Sequence, residues 1–311
     1  MKSKTFYSHG KLLISGEYVV LDGALSLAVP TKYGQSLIVE LIEKPILQWQ
    51  SFDDRKNVWF EDQFELNGDN FLNQNLDNEI SKRLIQIFNA AKTLNPEFLN
   101  GKQGFKIETH LEFPKNWGLG TSSTLISNIA KWANVDAYTL LDKTFGGSGY
   151  DIACAQNDTP ISYQLKSNNN SIQNQTRSIE VVEFSPKFKE HLYFVHLNKK
   201  QNSRDGIKHY HENKENTKAT IKAINKITLE MVSCKSIEEF QDLIEEHESL
   251  ISKITSQTPV KHLLFKDFDG AIKSLGAWGG DFILVASKLN PTDYFKDNGY
   301  QTIIPYKNMI L

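Results

Sequence analysis

A chain of 311 residues exceeds the usual size of a single hydrophobic core, so one large domain or two modest ones are expected. A net charge of −2, with its lysine clusters broken by acidic residues, argues against a general nucleic-acid binder but leaves room for one local anion site. The two cysteines, Cys154 and Cys234, have no metal-type spacing and point to a reducing compartment, and no apolar run nears the roughly 20 residues needed to cross a bilayer.

The first residues, MKSKTFYSHGKLLISGEY, interrupt their apolar stretch with His9, Lys11 and Glu17 and do not read as a signal peptide, so a cytoplasmic protein is expected. Residues 11–43 hold the β-rich runs KLLIS, YVVLD, SLAVP and QSLIVELI between Gly and Pro punctuation. ILQWQSF and NVWFEDQFEL flank a DDRK turn as a hairpin. NEISKRLIQIFNAAKTL carries Ile80, Leu84, Ile87 or Phe88, and Ala91 at helical spacing. FKIETHLEF alternates as a strand, a helix runs from Ser122 through Ala133, and a shorter one follows near 136–143. The polar stretch KSNNNSIQNQTRS (166–178) reads as a loop. EVVEF and LYFVHL are expected strands, helices follow at about 207–232, 236–255 and 259–274, and GAWGGD turns into the strand FILVAS. Strands and helices mix without strict alternation, so the expected fold class is α+β with two lobes.

Three glycine-bearing motifs stand out, and a fourth glycine turn lies near the end of the chain. In GKLLISGEYVVLDGALSLAVP, Lys11 and Glu17 are either a surface lysine and a turn carboxylate or members of a site. In PKNWGLGTSSTLISNIAKWA, Gly118-Leu119-Gly120 precedes Thr121, Ser122 and Ser123 and an apolar-periodic helix. Backbone N–H groups there, with the positive end of the helix, suit an anion, while a glycine turn with a Ser or Thr cap is the plainer alternative. TFGGSGYDIACAQ then places Ser148, Gly149 and Tyr150 directly before Asp151, and LGAWGGDFILVAS repeats the glycine pattern near the end. Binding of a polyphosphate explains all of them together. No GxxxxGK[ST], no kinase HRD and DFG pair and no strand-led GxGxxG is present, which argues against a P-loop, a protein-kinase fold and a dinucleotide fold.

In order and spacing, these motifs resemble the superfamily of galactokinase, homoserine kinase, mevalonate kinase and phosphomevalonate kinase (GHMP kinases), from Gly10 to about Ser287. The resemblance implies an N-terminal lobe of the ribosomal-protein-S5 type (1–185) and a ferredoxin-like C-terminal lobe (186–311). ATP and a small acceptor would meet between them. It implies that Gly118, Leu119, Gly120, Thr121, Ser122 and Ser123 bind the ATP phosphates, with Ser122 on Mg²⁺. It makes Asp151 the carboxylate facing the acceptor hydroxyl and Lys11 its partner. Phosphoryl transfer asks for such groups, since the protein mainly positions reactants and neutralises charge.

Within the superfamily, GEY at 16–18, GSGYDIA and GAWGGD lean toward phosphomevalonate kinase, and the string also resembles a bacterial subgroup named for its GYDIA motif. Substrate contacts are expected from Glu17, Ser148, Gly149, Tyr150, Gly279 and Gly280. Lys199, Lys200, Ser203 and Arg204 of the LNKKQNSRDG loop join them as anion binders, against a plain solvated loop. Trp117 and Trp278 depart from the family pattern and are expected at the cleft, Trp132 in the core. Only 28 residues separate Ser122 from Asp151, about half the family spacing, which removes the helical segment carrying a second acidic Mg²⁺ ligand and leaves Asp142 as a weak replacement. His191, His196, His209, His211 and His247 show no metal-ligand pattern and are expected at the surface or core edge.

The expected function is therefore ATP- and Mg²⁺-dependent phosphorylation of mevalonate 5-phosphate or mevalonate in isoprenoid precursor synthesis, by a monomer or homodimer. The alternatives are a nucleotide-binding protein of this fold without turnover, and a decarboxylase of phosphorylated mevalonate.

Overall fold

The computed structural model describes residues 3–67, 70–73, 78–101, 103–167, 175–201, 203–214 and 217–311. They form two compact units that interleave along the chain. Met1–Gly10, Tyr33–Lys115 and Gly120–Gln156 make the first, and Lys11–Lys32, Asn116–Leu119 and Asn157–Leu311 the second. A single cut after residue 185 does not reproduce this division, because strands β1 (Lys4–Ser15) and β2 (Ser26–Ile42) each contribute to both units.

In the first unit, β3 (Ile46–Phe52) and β4 (Val58–Asn67) form the expected hairpin. Its turn is fixed by Asp53, whose carboxylate accepts the amides of Arg55 and Asn57 at 3.0 and 2.8 Å. Strand β5 (Asn70–Asn73) extends β4, while β3 pairs in parallel with β6 (Gly104–Leu111), which runs antiparallel to residues 35–42 of β2. The sheet is therefore mixed. Helix α1 (Glu79–Leu94) starts at Asn78, whose side chain accepts the amides of Ile80 and Ser81. It buries Leu84, Ile87, Phe88 and Ala91, whereas Ile80, expected on the same stripe, lies exposed in the first turn. Helices α2 (Thr121–Ala133), α3 (Ala137–Asp142) and α4 (Tyr150–Ala155) share one core with α1. Ile126, Ile129, Leu140 and Ile152 meet Trp49, Phe64 and Phe88 there, each fully buried side chain contributing about 1.5–3 kcal/mol. Trp132 packs edge-on to Phe98 and Phe105, at 4.8 and 5.5 Å, in the core role expected of it.

In the second unit the run YVVLD is not a strand. Val19–Asp22 is a single 3-10 turn, because Gly16, Tyr18 and Gly23 all take positive φ and the Val20 amide closes back on the Gly16 carbonyl. Residues 26–28 of β2 pair with β7 (Ile161–Ser167), which pairs with β8 (Gln175–Val181). The polar stretch at 166–178 is thus strand at both ends, where the ladder needs backbone groups and not apolar side chains; residues 168–174 lie outside those described. Strand β9 (Leu192–His196) is central to a second, antiparallel sheet. The single helix expected at 207–232 is two, α5 (Ser203–Asn213) and α6 (Lys218–Ser233), followed by α7 (Ile237–Thr255). The helix expected at 259–274 is only α8 (Val260–Leu264), and Ala271–Ser274 is strand β10. A four-residue strand buried on both faces has no alternation to betray it. Strand β11 (Phe282–Ala286) joins β10 to β9, and α9 (Thr292–Asp297), β12 (Ile303–Pro305) and α10 (Tyr306–Met309) complete the chain. Among the described residues, no helix is long and apolar enough to cross a membrane.

Candidate active site

The first unit carries two glycine-started helices. Gly120, with φ of 93°, is the residue before α2, and Gly149, with φ of 84°, is the residue before α4. Both helices thus begin without a side-chain cap, leaving their first amides to other partners. The hydroxyls that follow Gly120 divide by direction. Ser123 donates to the Gly120 carbonyl at 2.8 Å and is buried, so its hydroxyl serves the loop itself. Ser122 is exposed at the start of the helix. The next residue, Thr124, is also turned inward, onto Gln35 at 2.7 Å.

Helix α4 packs against α2, and Ile152 lies in the same core as Ile126 and Ile129 of α2. Asp151, half-buried in the first turn of α4, accepts the Ile152 amide at 3.0 Å. Ser148 is buried with its oxygen 3.5 Å from the Tyr150 amide. Gly146 and Gly147, at φ of 67° and 107°, have nothing within 4 Å of where a Cβ would stand. They serve the turn, not a close approach. Asp142 is exposed at the C-terminal end of α3.

The second unit holds Lys11 and the Asn116–Leu119 segment. Lys11 donates its backbone amide to the Leu119 carbonyl at 2.9 Å and its ammonium to the Gly118 carbonyl at 3.2 Å. The ring of Trp117 meets Phe282 edge-to-face at 5.3 Å, and His196 lies 3.1 Å from the Asn116 carbonyl. His196 is therefore a buried brace on this loop and not a surface histidine. A Cβ on Gly118 would stand 2.4 Å from the carboxyl carbon of Asp281. Asp281 was not among the expected site residues, although it closes the expected GAWGGD turn. Its only sequence signal is that turn.

Lys199 and Lys200 are exposed in the loop after β9, and Gly280 packs under it, where a Cβ would strike the Lys199 carbonyl at 2.8 Å. Gly279, at φ of 78°, is open. Ser203 and Arg204 open α5, and their side chains lie outside the described residues. Trp278 is buried to 2% exposure, a core residue where a cleft residue was expected. Glu17 is equally closed off, at 1% exposure, with its carboxylate on Lys273 at 2.8 Å. His247, expected at the surface or core edge, is fully buried and accepts the Gly16 amide at 3.0 Å.

Among the described residues, no group of three or more His, Cys, Asp or Glu side chains could hold a metal ion. The exposed hydroxyl of Ser122 suits Mg²⁺, which takes oxygen ligands and commonly completes its shell with phosphate oxygens and water.

No protein-family model matches the chain, and no curated protein sequence matches it either. Solved structures do. A mevalonate kinase from Methanococcus jannaschii aligns with a TM-score of 0.70 over 97% of both chains at 17% identity. A phosphomevalonate kinase from Streptococcus pneumoniae, in complex with phosphomevalonate and AMPPNP, aligns with a TM-score of 0.69 over 96% of this chain and 97% of that one, at 16% identity. The Lin0012 protein from Listeria innocua aligns with a TM-score of 0.72 over 98% and 97%, at 17% identity. The chain has the α+β fold of the GHMP kinases.

Proposed function

We propose that this chain is an ATP- and Mg²⁺-dependent small-molecule kinase acting on mevalonate 5-phosphate or mevalonate. One observation carries the reading. Helix α4, which bears Asp151, is seated on α2, whose glycine-led start and exposed Ser122 suit the phosphates. In a fold shared with mevalonate and phosphomevalonate kinases, that pairing ties an acceptor-side carboxylate to a phosphate-side helix through one rigid core.

Each residue then has a task. The Asp151 carboxylate orients the acceptor hydroxyl and takes its proton. The amides at the start of α2 hold phosphate oxygens, assisted by the helix dipole. Lys11, fixed to the Gly118 carbonyl, supplies positive charge beside the loop. Mg²⁺, when bound, neutralises charge on the phosphates. Ser122 would be its protein ligand. Asp142, the weaker candidate for the metal, sits at the C-terminal end of α3.

The test is coupled ADP release against mevalonate, mevalonate 5-phosphate, homoserine and sugar acceptors. Acceptor-dependent ADP with one of the first two supports the proposal. ATP binding with no acceptor-dependent ADP from any of them overturns it, and release of CO₂ with phosphate assigns the decarboxylase activity instead.

A further inference from the structure

Asp281 is held unusually firmly for a residue in a glycine turn. Its φ of 53° is the left-handed conformation that side-chain-bearing residues rarely adopt. Its amide donates to the Lys199 carbonyl at 2.7 Å, its carbonyl accepts the Leu197 amide at 2.8 Å, and its carboxylate accepts the Gln201 amide at 3.3 Å. These three bonds fasten Asp281 to the loop after β9. On its other side the carboxylate lies against Gly118, so close that any Cβ there would overlap it at 2.4–2.8 Å. Gly118 in turn offers its carbonyl to the Lys11 ammonium.

The charges agree with the packing. The carboxylate of Asp281 is buried, which raises its pKa, and the Gln201 amide, Lys11, His196 and Lys200 act in the opposite direction. A buried carboxylate held in the left-handed backbone conformation costs stability, and such strain clusters at functional sites.

We infer that Asp281 is a positioning residue for phosphoryl transfer, holding the Gly118 turn and the Lys11 ammonium in register with the 197–201 loop. The inference rests on the kinase reading given above. Asp281 acts through Lys11 and Gly118 and has no role of its own toward the acceptor.

The experiment is a double-mutant cycle between Lys11→Ala and Asp281→Asn, with Asp281→Ala as a third variant. Turnover and amide hydrogen exchange are measured on each. Asparagine keeps the size of the side chain and removes its charge, so it guards against a simple folding defect. Misplaced catalytic groups can cost on the order of 10²-fold. A loss of that size is expected in kcat for Asp281→Ala, a smaller loss for Asp281→Asn, and almost no further loss when either is added to Lys11→Ala. Faster exchange of the Lys11 and Gln201 amides in Asp281→Ala, with α7 unchanged, is expected alongside. Independent, multiplying losses from the two sites overturn the inference, as does wild-type turnover in both Asp281 variants. If the wild-type protein yields no acceptor-dependent ADP, the kinase reading fails. The exchange measurement then still decides whether Asp281 holds Lys11, and unchanged exchange refutes it.

Discussion

The Lys273 ammonium and the Glu17 carboxylate meet at 2.8 Å with both side chains at 1% exposure or less. Glu248 joins them at 3.2 Å and also accepts the Ser274 hydroxyl and amide, at 2.6 and 3.0 Å. One lysine therefore serves two buried carboxylates, so its removal strands both. Breaking a buried pair by deleting one partner costs about 3–5 kcal/mol. Lys273→Met is expected to lower the urea midpoint by a corresponding amount, while a surface change such as Lys82→Met, at an exposed i,i+3 pair, stays within about 0.5 kcal/mol. Equal midpoints for the two variants would remove the cluster from the account of stability.

The same cluster predicts a pH dependence. Burial pushes the Glu17 carboxyl up to about 7, against the pull of Lys273. Between about 4.5 and 7 the folded state then holds a proton that the unfolded state has lost, so this contribution to stability falls as pH rises and levels off above 7. Burial also raises Glu248, with the same sign. It holds His247 well below its usual 6.5, and there the sign reverses, since only the unfolded state takes up a proton as pH falls below 6.5. The neutral form of His247 agrees with Nε2 accepting the Gly16 amide, which an imidazolium could not do. Comparing wild type with Glu17→Gln isolates one member. The stability lost on substitution should shrink as pH rises from 5 to 7, by at most about 1.4 kcal/mol per unit. A loss that stays constant or grows over that range contradicts the assignment.

Much of the fold was legible where local spacing settles the matter, and little where distant packing does. The stripe Leu84, Ile87, Phe88 and Ala91 announced α1, and Asp53 with its neighbours announced the hairpin turn. YVVLD misled because its β-branched residues mimic a strand, while the positive φ of Gly16, Tyr18 and Gly23 makes it a turn. The glycine motifs drew attention to Gly118, Ser122 and Asp151 as candidates from sequence alone. They could not show that Glu17 turns inward, because its partner Lys273 is 256 positions away. Asp281 was missed for the same reason, since its meaning depends on Gly118 lying against it.

That approach separates two glycines of similar backbone conformation. Gly118 and Gly146 have φ of 68° and 67°, but only Gly118 has a neighbour where a Cβ would stand. Gly146→Ala should cost only the left-handed conformation, roughly 1–2 kcal/mol. Gly118→Ala adds a collision with Asp281 and displaces the carbonyl that holds Lys11. It is expected to weaken binding of an ATP analogue and reduce turnover, whereas Gly146→Ala does neither beyond a few-fold. Isothermal titration of the two variants checks this, and equal affinities would show that the Gly118 approach has no bearing on the nucleotide.

The sharpest prediction concerns Asp151. Its helix is anchored to α2 through Ile152, so replacing the carboxylate with its amide leaves the packing in place. Asp151→Asn removes a proton acceptor and one negative charge without changing volume. Turnover with the true acceptor should fall by about 10²–10⁴-fold, the usual contribution of a positioned general base. Affinity for an ATP analogue should remain within a few-fold, because the amides proposed to hold phosphate belong to α2 and not to α4. Asp151→Glu tests position separately. It restores the charge but lengthens the side chain, so it should recover only part of the rate. Single-turnover ADP formation under saturating ATP distinguishes the chemical step from binding. Wild-type turnover in Asp151→Asn would transfer the proton-accepting role to another group, and loss of ATP affinity equal to the loss of rate would make Asp151 a ligand-binding residue.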